Sequence, residues 1–410
     1  MKIYLAYLLG VVLLANSAVL GAAAPLPAKA SPSANAALYY YQAFAANSGA
    51  VDIETRSAYE PTYAIWNLPI NKQIIRDLHA SRQAFVLLHF AAKMPYCNWG
   101  NTATYHRWGT DSPTVAKQRS RALMDVAVLQ VRMEWRKRHW KKAAQIINDM
   151  FILTHHIGQQ KEMVGPLDSW SMDNIIFGAI IAHMGALLDA GLRPLQTVLD
   201  KMPQFENPAS AWRASSHMAH FFMRQALHKK NHTMIQQLWQ QTWKAQFYQH
   251  PAGPTKVLPA PPMPVGFPAE LRAAIPVLER RDRSIAAAFR EPYPQVISSL
   301  KTLNQRAAAW QTRGSFMLRE SAQSTPAWIW IIYAQVLVRR ANCRAAIAYR
   351  LGGKAASDKI RDPFGPGPLL LKKEANKLLI RSCLNLTSLV SAKESQQITS
   401  ISVPITPLPQ

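Results

Sequence analysis

Apolar residues along this chain recur every three to four positions, and no sustained alternation of apolar and polar residues occurs before about residue 369. That period predicts amphipathic helices rather than strands, over 71–93, 113–138, 139–157, 168–190, 208–229, 231–249, 269–290, 294–312 and 326–351. Ala122, Val126, Leu129 and Met133 form one stripe, and Ala143, Ile146, Met150, Leu153 and Ile157 form the next. Together they read as an antiparallel helical hairpin. Ser112-Pro113, Asn207-Pro208 and Thr325-Pro326 each place a capping side chain before a proline at the first helical position. Stops are expected at Gly158, Gly191 and Gly352-Gly353, where glycine can take a left-handed conformation. The apolar run Ala327–Val338 is too short to cross a bilayer and reads as a core helix.

No hairpin recurs at a fixed period, so a repeat solenoid is not expected. The segment 251–268 holds seven prolines in eighteen residues. It must be extended there, and it reads as a linker between an N-terminal helical lobe, 31–250, and a second lobe, 269–353. Past Lys354 the texture changes. Turn residues around Asp362–Pro368 precede two short strands at Leu369–Lys373 and Leu378–Cys383, which predict a β-hairpin within 354–384. Residues 385–410 read as a flexible tail. The expected fold is therefore all-α, an irregular array of helical hairpins in two lobes with a small C-terminal β-hairpin.

The start of the chain bears on compartment. Met1-Lys2 is followed by an apolar stretch from Ile3 to Leu20 and then by small residues, the layout of a signal peptide over 1–30. Ala28-Lys29-Ala30 is a suitable cleavage site, giving a mature start at Ser31; the alternative is an uncleaved anchor helix. Three cysteines occur, and Cys343 with Cys383 is the pair that would tie a late helix to the C-terminal segment. Charge is lopsided, with 47 Lys and Arg against 23 Asp and Glu, a formal net of +24. An average chain of this length carries about 50 of each sign, so the excess comes from missing carboxylates. Depletion spread along the chain suits an anionic surface or a low-pH setting, and it does not favour nucleic acid, whose binders concentrate basic residues on one face or arm.

Candidate chemistry is sparse. Arg132, Arg136, Lys137, Arg138, Lys141 and Lys142 form the densest basic run, with Trp135 and Trp140 interleaved, and could bind an anion. The same cations would equally complement a helix dipole at the hairpin turn. Twelve histidines include His217, His220, His228 and His232, besides His155-His156 and His183, but no acid lies between Glu206 and Glu270 to complete a ligand set, so no metal site and no cofactor is expected. Cys97, near His106, is a conceivable nucleophile. Asp168 and Asp173 invite a paired-carboxylate reading, although Asp168 is placed to cap a helix and Asp173 to lie in its first turn.

Three stretches carry a resemblance. They are Asn35-Ala36-Ala37-Leu38-Tyr39-Tyr40-Tyr41-Gln42-Ala43-Phe44, Cys97-Asn98-Trp99-Gly100, and Asp362-Pro363-Phe364 with Gly367-Pro368-Leu369. Together they resemble a family of uncharacterised exported bacterial proteins. The resemblance implies a mostly helical exported body with a small β end and transfers no catalytic residue. Asn98 stands where such proteins often have Asp. The Asp-Pro-Phe turn also resembles the C-terminal turn of pseudopilins, which can lead into an acidic calcium loop; Glu394 is the one acid after Cys383, so calcium is not expected here. The functional expectation is an exported, non-enzymatic binding or structural protein of the cell envelope, its partner another envelope protein or an anionic surface. Alternatives are an envelope hydrolase with a site assembled from distant residues, or a binder of anionic polymer or membrane.

Overall fold

A computed structural model describes residues 35–47, 68–99, 111–160, 163–228, 232–247, 261–308 and 326–404. The signal segment, the expected start at Ser31, Gly100 and His106 lie outside these residues. The fold is all-α with a small C-terminal sheet. In chain order the helices are α1 (Ala36–Ala46), α2 (Lys72–Ala80), α3 (Arg82–Ala92), α4 (Asp111–Arg136), α5 (Trp140–Gly158), α6 (Val164–His183), α7 (Asp189–Lys201), α8 (Pro208–His228), α9 (His232–Phe247), α10 (Phe267–Ala288), α11 (Gln295–Ala308) and α12 (Pro326–Ser357). The strands β1 (Leu370–Glu374) and β2 (Lys377–Arg381), helix α13 (Ala392–Thr399) and strand β3 (Ser400–Pro404) complete the described chain. None of the described helices is long and apolar enough to cross a membrane.

The α4–α5 hairpin forms as its stripes require. Leu123, Val126, Ala127 and Leu129 of α4 and Ala143, Ile147, Met150 and Leu153 of α5 are buried in one large core. Helix α6 packs on α5, and α12 lies across α6 and α7. Side chains of α12 close the ends of these neighbours. Arg340 donates to the carbonyls of Leu199, Met202 and Pro203 at 3.3, 2.7 and 3.0 Å, and Arg350 donates to those of Met184 and Leu187 at 2.5 and 2.7 Å. Guanidinium groups at carbonyls left over by a helix end satisfy acceptors that burial would otherwise strand.

Several expectations need correction. The stretch 71–93 is two helices broken at Ser81, whose N–H bonds back to Asp77. Gly191 does not stop a helix. It lies in the first turn of α7, where a Cβ would stand 2.8 Å from a ring carbon of Trp140, so the missing side chain permits close approach of α7 to α5. Helix α5 does end at Gly158, without a left-handed cap; its bare Cα lets Ser169 of α6 approach, the Oγ standing 3.0 Å from where a Cβ would be. At Gly353 the expectation is met, since φ of +69° breaks α12 there.

The division at 251–268 also falls in the wrong place. A second, smaller core joins Phe222, Met223 and Ala226 of α8 to Ile235, Leu238 and Trp239 of α9 and to Phe267, Leu271 and Ile275 of α10. The proline-rich segment therefore connects two helices of one core. Its described end is held by Trp239 Nε1, which donates to the Pro261 carbonyl at 2.8 Å. The supposed second lobe is divided, because α12 belongs to the large core.

Residues 385–404 are not a loose tail. Ser391 and Glu394 form a reciprocal capping box that starts α13, and β3 pairs antiparallel with β2, with Ile401 opposite Ile380 and Val403 opposite Leu378. The expected hairpin thus becomes a three-stranded sheet of order β1-β2-β3. Val403, Leu378 and Ile380 face the large core, a pattern too short and too polar at its flanks to read as a strand alone.

Candidate functional site

Helix α1 begins with Asn35, whose Oδ1 accepts from the N–H groups of Ala37 at 3.2 Å and Asn98 at 2.8 Å, while its Nδ2 donates to the Asn98 carbonyl at 2.9 Å. One side chain thus caps a helix and clamps the Cys97–Trp99 loop, so the first two stretches of the family resemblance interlock. Trp99 lies between rings, stacked on Tyr40 at 5.4 Å and on Phe44 at 6.3 Å, and donates Nε1–H to the His156 carbonyl at 3.0 Å. Burial, with His155 adding to it, drives His156 down to about 4. Its ring is therefore neutral at pH 7, and Nδ1 shares a hydrogen bond with the Tyr40 hydroxyl at 2.9 Å. Burial pushes the Cys97 thiol up to about 12. A nucleophilic cysteine needs the thiolate near neutral pH, so Cys97 serves this aromatic corner as a packing group.

The third stretch folds far from the first two. Asp362 is buried, and its carboxylate accepts from Phe364 N at 2.9 Å, Ser382 Oγ at 2.8 Å and Cys383 N at 2.6 Å. It ties the turn to the end of β2. Pro363 is exposed, and Phe364 packs edge-on against Tyr293 and Trp330. The expected Cys343–Cys383 disulfide is absent. Cys343 is fully buried in α12, whereas Cys383 is exposed with its Sγ–H donating to the Phe364 carbonyl at 3.0 Å, and all three cysteines are free.

The basic run is divided by Glu134, which is buried at the end of α4. Its carboxylate accepts from Gln130 Nε2 at 2.6 Å, His139 Nδ1 at 2.8 Å and Lys142 Nζ at 2.9 Å. Burial raises the Glu134 carboxyl, yet the hydrogen bonds from Lys142, His139 and Gln130 outweigh it and hold the group below its ordinary value. Arg138 takes φ of +59° in the turn, and Arg132 is buried. Arg136, Lys137, Arg138, Lys141 and Lys142 are all exposed around the hairpin tip, Lys142 with its ammonium turned to Glu134.

The histidines do not gather. Among the described residues no group of three His, Cys, Asp or Glu side chains could hold a metal. His220 pairs instead with Asp282 of α10 at 3.1 Å, an acid outside the interval in which the sequence offers none. Asp168 is buried in the second turn of α6, past the cap position, and Asp173 is buried at mid-helix rather than in the first turn.

Asp173 opens on a narrow cleft between α5, α6 and the segment 202–206, lined by Thr154, His155, Ser169, Phe205 and Glu206 among others, with room for roughly one water molecule. Burial drives the Asp173 carboxyl up to about 8 despite Thr154 and Arg340 nearby. Thr154 Oγ1 lies 2.6 Å from Asp173 Oδ1 and 2.8 Å from the Phe151 carbonyl. One hydroxyl hydrogen can serve only one acceptor. A protonated Asp173 resolves this by donating to Thr154 Oγ1, which passes its own hydrogen to Phe151. Burial lowers His155, with Glu206 opposing, so the cleft holds a neutral acid beside a weak base. An Asp two residues before the apolar run Ile175–Ile181 was the available signal for this group, but nothing in the sequence reports that Thr154 faces it. No family model, no curated protein and no solved structure matches the chain.

Proposed function

We propose that the protein is an exported, non-enzymatic binding component of the cell envelope that engages an anionic partner. The disposition of its charges supports this reading. Asp125, Glu134, Asp149, Asp168, Asp173 and Asp362 are buried, whereas Arg132 is the one buried cation among the described residues. A chain already short of carboxylates has turned many of them inward, while most of its lysines and arginines stay in water, Arg339, Arg340 and Arg350 being turned to backbone carbonyls. Its outer surface is therefore more positive than the formal net of +24 suggests. Arg136, Lys137 and Lys141 at the hairpin tip are the natural contact points.

Long-chain polyphosphate is a suitable probe. Binding should weaken steeply as salt rises, and the combined change R136A, K137A and K141A should weaken it at least about tenfold at low salt. Unchanged affinity would refute the assignment of the tip. Export is tested by the intact mass of the protein recovered from its producing cell, for which a start at Ser31 is the expected result. The resemblance to uncharacterised exported proteins supports the envelope setting.

A second reading, hydrolysis, is favoured by one observation: Asp173, Ser169, His155 and Glu206 line the same cleft. Turnover of simple ester or phosphoester substrates that disappears in Asp173→Asn would establish it.

A further inference from the structure

Nine large apolar side chains are conspicuously exposed among the described residues, and six of them come from one corner: Leu38, Tyr41, Ile75, Val86, Phe90 and Tyr96. Phe90, 52% exposed, and Val86, 42% exposed, are four residues apart on α3 and so share one stripe. The opposite side of α3, with Ala84, Leu88 and Ala91, is buried. Helix α3 is thus apolar on both faces, and folding uses only one. Helix α1, which packs along α3, repeats this with Leu38 and Tyr41 opposite buried Ala36, Tyr40 and Ala43. Scattered apolar residues need no explanation, but a concentration on two adjacent helices does.

Charge identifies the occupant. Lys72 and Arg76 of α2, Arg82 at the start of α3 and Lys93 just past its end are all exposed. The described part of this corner, 35–47 and 68–99, holds one acid, Asp77, whose Oδ1 accepts from Gln73 Nε2 at 2.8 Å. The hairpin tip extends the same surface. His89 of α3 meets Asp149 of α5 at 2.9 Å and Gln145 at 3.0 Å. Lys141 lies one turn before Gln145 on the same exposed stripe of α5, beside the helix that His89 belongs to. An apolar centre with aromatic members, rimmed by cations and nearly free of carboxylates, has the chemistry of a surface lying in the headgroup region of an anionic bilayer.

We propose that the outer face of α1 and α3, rimmed by Arg76, Arg82, Lys93 and Lys141, docks on an anionic lipid membrane. This deepens the anionic-partner reading and rests on it, replacing a generic polyanion by a bilayer into which Leu38, Val86 and Phe90 insert.

The test uses the full chain with vesicles of phosphatidylglycerol and phosphatidylcholine, with polyphosphate in parallel. Two readouts are taken: partition to vesicles, and amide exchange over residues 82–96, which is specific to this face whatever the N-terminal segment contributes. Native protein is expected to show slowed exchange over 82–96 on anionic vesicles, persisting in salt that abolishes polyphosphate binding. The combined change L38S, V86S and F90S, all at exposed positions, should weaken docking through this face by roughly a hundredfold and leave polyphosphate binding unchanged. Native-like exchange protection in that variant overturns the proposal while the anionic-partner reading stands. No slowing over 82–96 on vesicles, or slowing that follows protein concentration without lipid, as a second copy of the chain would cause, also overturns it. Failure to bind either probe overturns both.

Discussion

Replacing Asp173 by Asn tests the energetics of the cleft. In the folded protein this carboxyl is raised to about 8 from an ordinary 3.8, mainly by burial. Between these values the folded state holds a proton that the unfolded chain has released. Stability is therefore fully present below the unfolded value of 3.8 and is lost as pH rises towards 8, by about 1.4 kcal/mol per pH unit. Over the whole interval of about four units the loss is about 6 kcal/mol, and about 4 kcal/mol of it is incurred by pH 7. Asparagine keeps the shape and can donate an N–H to Thr154 Oγ1, as the protonated acid does, but it has no proton to lose. The stability of the Asn variant relative to the native protein should climb steadily from pH 5 to pH 8 and level off above. Urea unfolding at each unit of pH measures this, and the other titrating groups cancel in the difference. A difference that is flat, or that falls with pH as an ionised Asp173 paired with Arg340 would require, refutes the reasoning.

Three further outcomes are expected. Asp362→Ala strands three donors at the C-terminal turn and should cost about 2–4 kcal/mol in urea unfolding, with early loss of amide protection in the sheet. Gly191→Ala places a methyl 2.8 Å from Trp140 and should cost about 1–3 kcal/mol; Trp140→Leu, which clears that space, should relieve part of it. Native-state alkylation should modify exposed Cys383 first and Cys343 only on unfolding, and Cys383 should react slowly at pH 7 because burial and the Asp362 carboxylate push its thiol up to about 11.

Helices were legible where apolar residues recurred at helical spacing, as in the α4–α5 hairpin, or where a proline fixed the start, as at Asn207, whose Oδ1 accepts from Ala209 N at 2.7 Å. They were less legible where glycine served packing rather than termination, as at Gly191, because a close approach and a stop use the same residue. The two cores were visible as an apolar excess but not as a partition, since whether α10 packs on α8 is a fact about contacts distant in sequence. The hairpin at Leu370 was readable from its turn, while β3 was not: its five residues acquire strand conformation only through pairing with β2. At the candidate sites the residue types were in view throughout. Their pairing was not, because Asn35 with Asn98, Thr154 with Asp173 and His220 with Asp282 each join segments that the fold alone brings together.

The last strand bears on the order of assembly. Pro404 stands so close to Gly185 that a Cβ there would meet its Cγ at 2.7 Å, and β3 pairs along the free edge of β2. The turn after α6 is consequently completed by residues synthesised long after it, and β2 has an unpaired edge until they arrive. A nascent chain halted before residue 400 would remain unfinished at both places and open to proteases and chaperones. Closure would be among the final events of folding, and clipping within 392–404 would unseat the C-terminal sheet and the turn at 184–186 together.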